Sequence, residues 1–339
     1  MAGPRPHPTP IGARRIPIGA FVVAFAILAA MLTAEAQGPG RIWRLGVLTG
    51  SVPRSSAPFR ALEQRLGELG YVEGRNLLIE FRTAAGSPDR LPVLAAELIA
   101  IRPDLLFVAA TQAVIAAKSA TQTIPIVLAG TGDPMGTGIV PSLARPGGNI
   151  TGVSLLNVEL SGKGLQLLKE AVPTASRVAV LWNPGNQLHR SIRTATEEAA
   201  ATLKVGLQML DVRGPEDLPR AFEAMSRQRS NGLLVLPDTI TLAHRKPILD
   251  FAAGRRLPAM YAFVEMVEEG GLMCYGPSLA DNFRQAAGYI DKILKGAKPG
   301  DLPIAQATKF DLVINLRTVK ALGLTLPQAI ALRADQIIE

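Results

Sequence analysis

"LLFVAATQAVIAAKSATQTIPIVLAG", residues 105–130, contains the pattern that decides the fold. Two continuous apolar runs, LLFVAA and IPIVLAG, flank a segment with helical periodicity, TQAVIAAKSATQ. A continuously apolar strand is typical of a parallel sheet that helices cover on both faces. The stretch therefore predicts a strand–helix–strand unit of an α/β sheet.

The same alternation extends in both directions from this unit. Before it, the sequence predicts strands over 44–50 and 76–84 and helices over 59–70 and 90–103. A second series then begins, with predicted strands over 177–184, 206–212, 232–238 and 258–263 and helices over 188–204, 215–229 and 241–254. Two such series predict two Rossmann-like, doubly wound α/β lobes in tandem.

The last third of the chain predicts too few elements for a third domain: a helix over 278–296, a strand over 310–316 and a helix over 317–323. We expect these elements to complete the two lobes, so that the chain crosses between them near 146–160, 273–280 and 300–310. The predicted N-terminal lobe is 42–155 plus 277–305, and the predicted C-terminal lobe is 156–276 plus 306–339.

Residues 1–36 have the three parts of a secretory signal peptide. Arg14 and Arg15 precede the apolar run IPIGAFVVAFAILAAMLTA, which ends in Ala34-Glu35-Ala36. The run contains a proline and a glycine and is short for a membrane span, which needs about 20 apolar residues. We therefore expect cleavage after Ala36 and a periplasmic or otherwise exported protein, by either the Sec or the twin-arginine route.

Composition argues against several classes of function. The net charge of +8 is spread along the chain and aromatic residues make up 5%, unlike a basic patch interleaved with aromatics that would indicate nucleic-acid binding. Cys274 is the single cysteine, and the histidines outside the leader, His189 and His244, are far apart. We expect no disulfide, no metal site and no cofactor.

The glycine-rich stretch 127–154 raises the possibility of a phosphate-binding loop. Its spacing is G-x-G-x-x-x-G, Pro134 interrupts it, and it follows the fourth predicted strand, so it fits neither the dinucleotide fingerprint nor the P-loop. Ser154 lies in no G-x-S-x-G elbow and has no nearby histidine in sequence. The stretch is interpreted as cleft wall and crossover, and no catalytic residue is predicted.

Several phrases together resemble the ABC transporter substrate-binding protein family that includes the tryptophan- and tyrosine-binding proteins. They are GYVEGRNLLIEFR (70–82), IPIVLAGTGDPMGTGIVPSLARPGGNITGVS (124–154), VLWNPGN (180–186), GGLMCYGPSLADNFRQAAGYIDKILKGAKPGDLPI (270–304) and KFDLVINLRTVKALGLTLP (309–327). The resemblance covers nearly the whole chain after the leader. It implies a type I periplasmic binding protein fold with a three-segment hinge, no catalysis, no obligatory cofactor, and delivery of a ligand to an ABC permease in the inner membrane.

Ligand contacts in such a fold are expected from the loops at strand ends that face the cleft. The candidates are Thr49, Ser51, Thr111, Gln112, Thr131, Asp133, Ser154, Asn157, Trp182, Asn183, Asn186, Asp238, Tyr261, Glu265 and Tyr275. The N-terminus of the helix at Thr111 could bind a carboxylate. Asp133 could pair with an ammonium group or form a turn before proline, and Trp182 and Tyr261 could stack on a flat ligand or pack in the interior.

The identity of the ligand stays open at this point. An amino acid, for example an aromatic one, suits the candidates, but purines and small organic acids would use many of the same groups. We expect a monomeric transport receptor. The alternatives are a ligand-sensing subunit of a signalling system, which would have the same fold, and an exported α/β enzyme.

Overall fold

The computed structural model describes residue 3 and residues 41–155 and 157–339. Apart from residue 3, the predicted leader lies outside the described residues. Residues 43–339 form one compact unit, and two β-sheets organise it.

The first sheet has six parallel strands. They are β1 (Trp43–Thr49), β2 (Leu77–Thr83), β3 (Leu105–Ala109), β4 (Ile126–Gly132), β5 (Ile150–Leu155) and β11 (Ala305–Gln306), in the spatial order β11-β5-β4-β3-β1-β2. Four helices accompany these strands: α1 (Ala57–Glu68), α2 (Leu91–Ala100), α3 (Thr111–Ala120) and α10 (Leu279–Leu294). This sheet and its helices are called the first lobe below.

Alternate residues of the first sheet enter two separate cores. Val47 packs with α1 and α10 on one face, and Leu48, the next residue of β1, packs with α2 and α3 on the other. Both side chains are fully buried. The continuous apolar runs of the sequence are thus explained by burial on both faces of the sheet.

The second sheet has seven strands in the spatial order β13-β12-β10-β9-β8-β6-β7. They are β6 (Arg177–Trp182), β7 (Gly206–Asp211), β8 (Gly232–Val235), β9 (Ala259–Tyr261), β10 (Met273–Pro277), β12 (Phe310–Asn315) and β13 (Gln336–Ile338). The accompanying helices are α4 (Asn157–Ala171), α5 (Leu188–Leu203), α6 (Leu218–Arg227), α7 (Thr239–Ala243), α8 (Arg245–Gly254), α9 (Val264–Glu268), α11 (Leu316–Ala321) and α12 (Gln328–Ala331). This sheet and these helices are called the second lobe.

The chain passes between the sheets three times: after β5, between β10 and α10, and between β11 and β12. The return through α10 is fixed by packing, since the Phe283 ring meets the Phe107 ring edge-on with centroids 4.9 Å apart. The last crossing makes β12 antiparallel to β10, because β12 starts at the edge of the sheet where β10 ends.

The predicted fold class, two doubly wound α/β lobes, is confirmed. Two of the predicted lobe boundaries lie one residue away from where the strand pairing places them. Pro277 pairs with Phe310 in the second sheet, and Gln306 pairs with Ser154 in the first. The structure also differs from a wholly parallel arrangement in β12, which is antiparallel to β10. An apolar run in the sequence does not show in which direction the strand runs.

Candidate functional site

A cavity lies between the two lobes, at the carboxyl ends of their parallel strands. It holds about 540 Å³ of space not filled by atoms, including its opening to solvent. Ligands of open α/β sheets bind at this edge, in cavities of roughly 300–1,000 Å³. The first lobe contributes Gly50, Ser51, Val52, Ala109, Ala110, Thr111, Gln112, Gly130, Leu155, Leu279 and Phe283, and the second contributes Asn186, Leu188, Pro237, Asp238, Thr239, Leu242 and Phe263.

The first-lobe wall presents the N-terminus of α3. Ala110 precedes this helix with a φ of 92° and provides no side-chain cap, so the first N–H groups of the helix remain available as donors. The Thr111 hydroxyl accepts a hydrogen bond from the backbone N–H of Gly132 at 3.3 Å, and Oε1 of Gln112 is buried without a partner. A helix N-terminus that opens into a cavity favours an anionic group such as a carboxylate.

The second-lobe wall presents the carboxylate of Asp238, which is 4% exposed. Its Oδ2 accepts hydrogen bonds from the side-chain amides of Asn186 at 2.9 Å and Asn183 at 3.3 Å. Its Oδ1 accepts the backbone N–H of Ile240 at 2.8 Å and so caps α7. These donors hold a negative charge in the cavity wall at a fixed position.

His189 lies behind this wall, fully buried at the start of α5. Its Nδ1 accepts the backbone N–H of Asn183 at 2.8 Å, and its Nε2 lies 3.0 Å from the carbonyl oxygen of Pro237. Burial lowers the pKa of the imidazole below its ordinary value, although the nearby Asp238 acts in the opposite direction. The ring is therefore neutral, with its proton on Nε2.

Apart from the hydroxyl side chains of Ser51 and Thr239, most of the remaining lining is apolar. Leucine and phenylalanine side chains from both lobes line it: Leu155, Leu188, Leu242, Phe263, Leu279 and Phe283. Among the described residues that line the cavity, none is lysine or arginine. The walls thus combine one carboxylate, one helix N-terminus and apolar surface.

The two lobes contact each other at the rim of the cavity, at the two ends of α7. A Cβ added to Gly50 of the first lobe would stand 2.5 Å from Oγ1 of Thr239, and one added to Gly86 would stand 2.5 Å from Cβ of Ala243. Atoms this close would overlap, so only glycine allows the approach seen at these two positions. The lobes are therefore in a closed arrangement in this structure.

The structure brings five of the predicted site residues to the cavity: Ser51, Thr111, Gln112, Asn186 and Asp238. Two more support its walls from behind. The Thr49 hydroxyl donates to the carbonyl of Val52 at 2.7 Å and shapes the loop after β1, and Asn183 holds Asp238. Ligand contact by these residues remains a prediction.

Three predicted residues of the first lobe are engaged elsewhere. Thr131 is fully buried and donates to the carbonyl of Ala129, and Ser154 lies in β5 beside β11. Oδ1 of Asp133 accepts the backbone N–H of Gly136 at 2.8 Å. The turn-forming interpretation of Asp133 therefore describes its local structure. Its Oδ2 accepts a hydrogen bond from the Ser191 hydroxyl of the second lobe at 3.5 Å, and pairing with an ammonium group stays a prediction.

The two aromatic residues proposed for stacking lie in cores and not in the cavity wall. Trp182 packs beside Leu188 and Ile192, and the Arg193 guanidinium sits 5.1 Å from the centroid of its ring. Tyr261 is 2% exposed and packs against α8 and α9. Both side chains point to the faces of the sheet, as the alternation along a strand requires. The packing interpretation is correct for both residues.

Glu265 and Tyr275 line two other cavities, and the one at Glu265 is also lined by Ala57 and Pro58 of the first lobe. Tyr275, together with Tyr261, borders a space of about 380 Å³ beside α4. Glu265 borders one of about 710 Å³ near β10, where its Oε2 is buried without a partner and burial raises the pKa of the carboxyl group. Asn157 begins α4, but its side chain lies outside what the structure describes.

The sequence prediction missed most of the apolar lining. Phe263 lies two residues after the end of β9, so the strand-end rule that selected Tyr261 could have selected it too. Phe283 could not have been found in this way, because α10 reaches the cavity only through the crossing from the second lobe. Thr239 and Leu242 lie on α7, a five-residue helix that the periodicity did not separate from the helix after it.

In residues 41–155 and 157–339, no group of three or more His, Cys, Asp or Glu side chains is placed to hold a metal ion. Within the same residues, no helix has both the length and the apolar character to cross a membrane.

Comparison with known proteins identifies the family. The family model described as ABC transporter substrate binding protein matches residues 55–338, which is most of the chain. The chain belongs to the ABC transporter substrate binding protein family. The cavity between the lobes is the candidate substrate site of this member of the family.

Individual relatives agree with this assignment. The chain is 25% identical over 267 residues to the tyrosine-binding protein of Clostridioides difficile (strain R20291), covering 78% of this chain and 75% of that relative. A crystal structure of a conserved domain protein from Vibrio cholerae is 30% identical with a TM-score of 0.82, covering 88% of this chain and 100% of that one. An ABC domain from Streptococcus pneumonia in complex with L-Trp has the same fold, with 24% identity, a TM-score of 0.81, and coverage of 88% and 100%.

Proposed function

We propose that this protein is an exported receptor that binds an L-amino acid with an apolar or aromatic side chain between its lobes and delivers it to an ABC permease of the inner membrane. The observation that carries this proposal is the composition of the cavity walls. One lobe contributes a fixed carboxylate, Asp238, and the other contributes the free N-terminus of α3 at Thr111 and Gln112.

This pair of groups complements a zwitterion. The ammonium group of an amino acid would pair with Asp238, and its carboxylate would accept N–H groups of α3. The unpartnered Oε1 of Gln112 would accept a hydrogen bond from the ammonium group. A dianionic ligand lacks a complement, since the described lining includes no basic side chain.

The apolar lining would hold the side chain of the ligand. Phe263 and Phe283 offer aromatic surface, and four leucines offer aliphatic surface. Burial of this apolar surface against the ligand would favour binding and requires no catalytic group. The names of two relatives, a tyrosine-binding protein and an L-Trp complex, favour the same ligand class.

The first test is a thermal-shift and calorimetry panel on protein that begins at Gln37. It contains L-tyrosine, L-tryptophan, L-phenylalanine and L-leucine, each beside the analogue that lacks the amino group, with adenine and succinate as other chemical classes. At 100 times its Kd, a true ligand should add about 2.7 kcal/mol to the free energy of unfolding. Stabilisation by adenine or succinate alone would overturn the amino-acid proposal.

The second test addresses export and delivery in cells. N-terminal sequencing of protein from the cell envelope should find cleavage after Ala36, and deletion of the gene should abolish high-affinity uptake of the labelled amino acid. If uptake persists while a ligand-dependent transcriptional response is lost, the sensing alternative is correct. If the purified protein consumes the ligand, the enzyme alternative is correct.

A further inference from the structure

A fully buried histidine joins the two loops that form the second-lobe wall. His189 lies at the second position of α5, and its Nδ1 accepts the backbone N–H of Asn183 in the loop after β6. Its Nε2 donates to the carbonyl of Pro237 in the loop after β8. Strands β6 and β8 are neighbours in the sheet, so one ring spans the ends of two adjacent strands.

Each of these loops carries part of the carboxylate site. Asp238 directly follows Pro237, and the Asn183 side chain donates to both oxygens of Asp238 at 3.3–3.4 Å. The ring therefore fixes a donor and its acceptor at the same time. The link requires a neutral imidazole with a free Nδ1, because a backbone N–H can only donate.

We infer that His189 is a positioning residue, which holds the carboxylate of Asp238 at the place where the ammonium group of the ligand binds. This inference rests on the proposed function. The imidazole would not touch the ligand; it would act through the loops of Asn183 and Asp238. The distinction from a core-filling role is that both ring nitrogens are used, each by a different loop of the site.

Two substitutions separate the two halves of the bridge. In His189→Asn the amide oxygen can take the place of Nδ1, and in His189→Gln the amide nitrogen can take the place of Nε2, so each variant keeps one bond and loses the other. Each should weaken binding of the tightest L-amino acid of the panel by roughly threefold to tenfold, the effect of one net hydrogen bond. The matched control is Thr194→Asn, at an exposed position of the same helix, which should leave the affinity unchanged.

The analogue without the amino group provides the decisive readout. If His189 acts through Asp238, both variants should bind this analogue as the wild-type protein does. In the Asp238→Asn background, His189→Asn should cause no further loss of affinity for the amino acid, because the group that it positions has lost its charge. Melting temperatures of the ligand-free variants report any general loss of stability separately.

The outcomes distinguish the inference from the proposal on which it rests. Equal losses for the amino acid and its analogue, or independent effects of the two substitutions, would overturn the positioning role and leave the proposed function intact. Failure of the wild-type protein to bind any amino acid would overturn both. A ¹⁵N histidine spectrum at neutral pH should show His189 with its proton on Nε2; a doubly protonated ring would also overturn the inference.

Discussion

The two walls of the cavity differ in the kind of polar group that they present. In the first lobe, the group that favours an anion is main chain: the N–H groups at the start of α3, set by the unusual φ of Ala110, beside the neutral side chains of Ser51, Thr111 and Gln112. In the second lobe, the polar surface is a network of side chains in which Asn183 and Asn186 donate to Asp238, and His189 joins the loops of Asn183 and Pro237. A main-chain wall tolerates changes of sequence, whereas a side-chain wall depends on each of its members.

The difference predicts where substitutions will matter. A helix N-terminus offers its donors whatever residue follows the first turn, so side chains of the first-lobe wall should contribute little to affinity. In the second-lobe wall, a single charge is held by several donors, and its removal should be costly. The predictions below test this contrast in order of expected effect.

The largest effect is expected from Asp238→Asn. The amide keeps the shape and can still cap α7, but it cannot offer a negative charge to an ammonium group. A hydrogen bond to a charged group contributes about 1.5–3 kcal/mol, so calorimetry should find affinity for the amino acid reduced by roughly 10- to 150-fold. An unchanged affinity for the amino acid would show that Asp238 only organises its own loop.

A smaller effect is expected from Gly50→Ala, which tests the contact between the lobes. The added methyl group would stand 2.5 Å from Oγ1 of Thr239, so the cavity could not close fully. Overpacking of this kind costs about 1–3 kcal/mol, and part of it should appear as weaker binding together with a larger radius of gyration in small-angle scattering of the liganded protein. The reason is that contacts with both lobes form only in the closed state.

Two further variants control this experiment. Gly67→Ala adds a methyl group at an exposed position of α1, where nothing lies within 4 Å. It should change neither the affinity for the amino acid nor the radius of gyration of the protein. Thr239→Ala removes the two atoms nearest the new methyl group and should restore part of the affinity in the double variant. A Gly50→Ala protein that binds and closes like the wild type would show that this contact does not govern closure.

A still smaller effect is expected from Gln112→Ala in the first-lobe wall. The substitution removes the unpartnered Oε1 but leaves every main-chain donor of α3 in place. Affinity for the amino acid should fall about threefold or less, in line with one neutral hydrogen bond. A loss as large as that of Asp238→Asn would mean that the walls do not differ as proposed.

The sequence predicted the sheets better than it predicted the site, for a physical reason. A strand that is buried on both faces is apolar at every position, as in residues 105–110, and can be read from the sequence. The rule that ligands bind at strand ends then located Thr111 and Asp238. Whether a side chain faces the cavity depends on strand twist and on crossings. Trp182 and Tyr261 occupy suitable strand ends but point into cores, and Phe283 arrives from α10, which follows a strand of the other lobe. Asn183, Asn186 and Asp238 were among the sequence candidates, but the link through His189 was not, since the loops of Asn183 and Pro237 meet only in the folded lobe.

Glu265 offers the contrasting case to Asp238 within the same lobe. Asp238 is surrounded by donors, while Oε2 of Glu265 is buried without a partner, and burial raises the pKa of its carboxyl group above 4.5. A carboxyl group with a raised pKa in the folded state binds its proton more tightly there than in the unfolded chain. Its neutral form therefore favours folding below the unfolded pKa, and this contribution is lost as the pH rises through the folded pKa.

The substitution Glu265→Gln replaces this group by a permanently neutral one of similar shape. At pH 7.5 the variant should melt about 2–4 °C above the wild-type protein, which corresponds to roughly 1 kcal/mol for a chain of this size. At pH 4 the wild-type carboxyl group is itself protonated, so the difference in melting temperature should disappear. Glu268→Gln, at an exposed position of the same helix, is the matched control and should show a smaller change at both pH values. A Glu265→Gln protein that is less stable at pH 7.5 would mean that the Glu265 carboxylate has a stabilising partner and, like that of Asp238, is held by its surroundings.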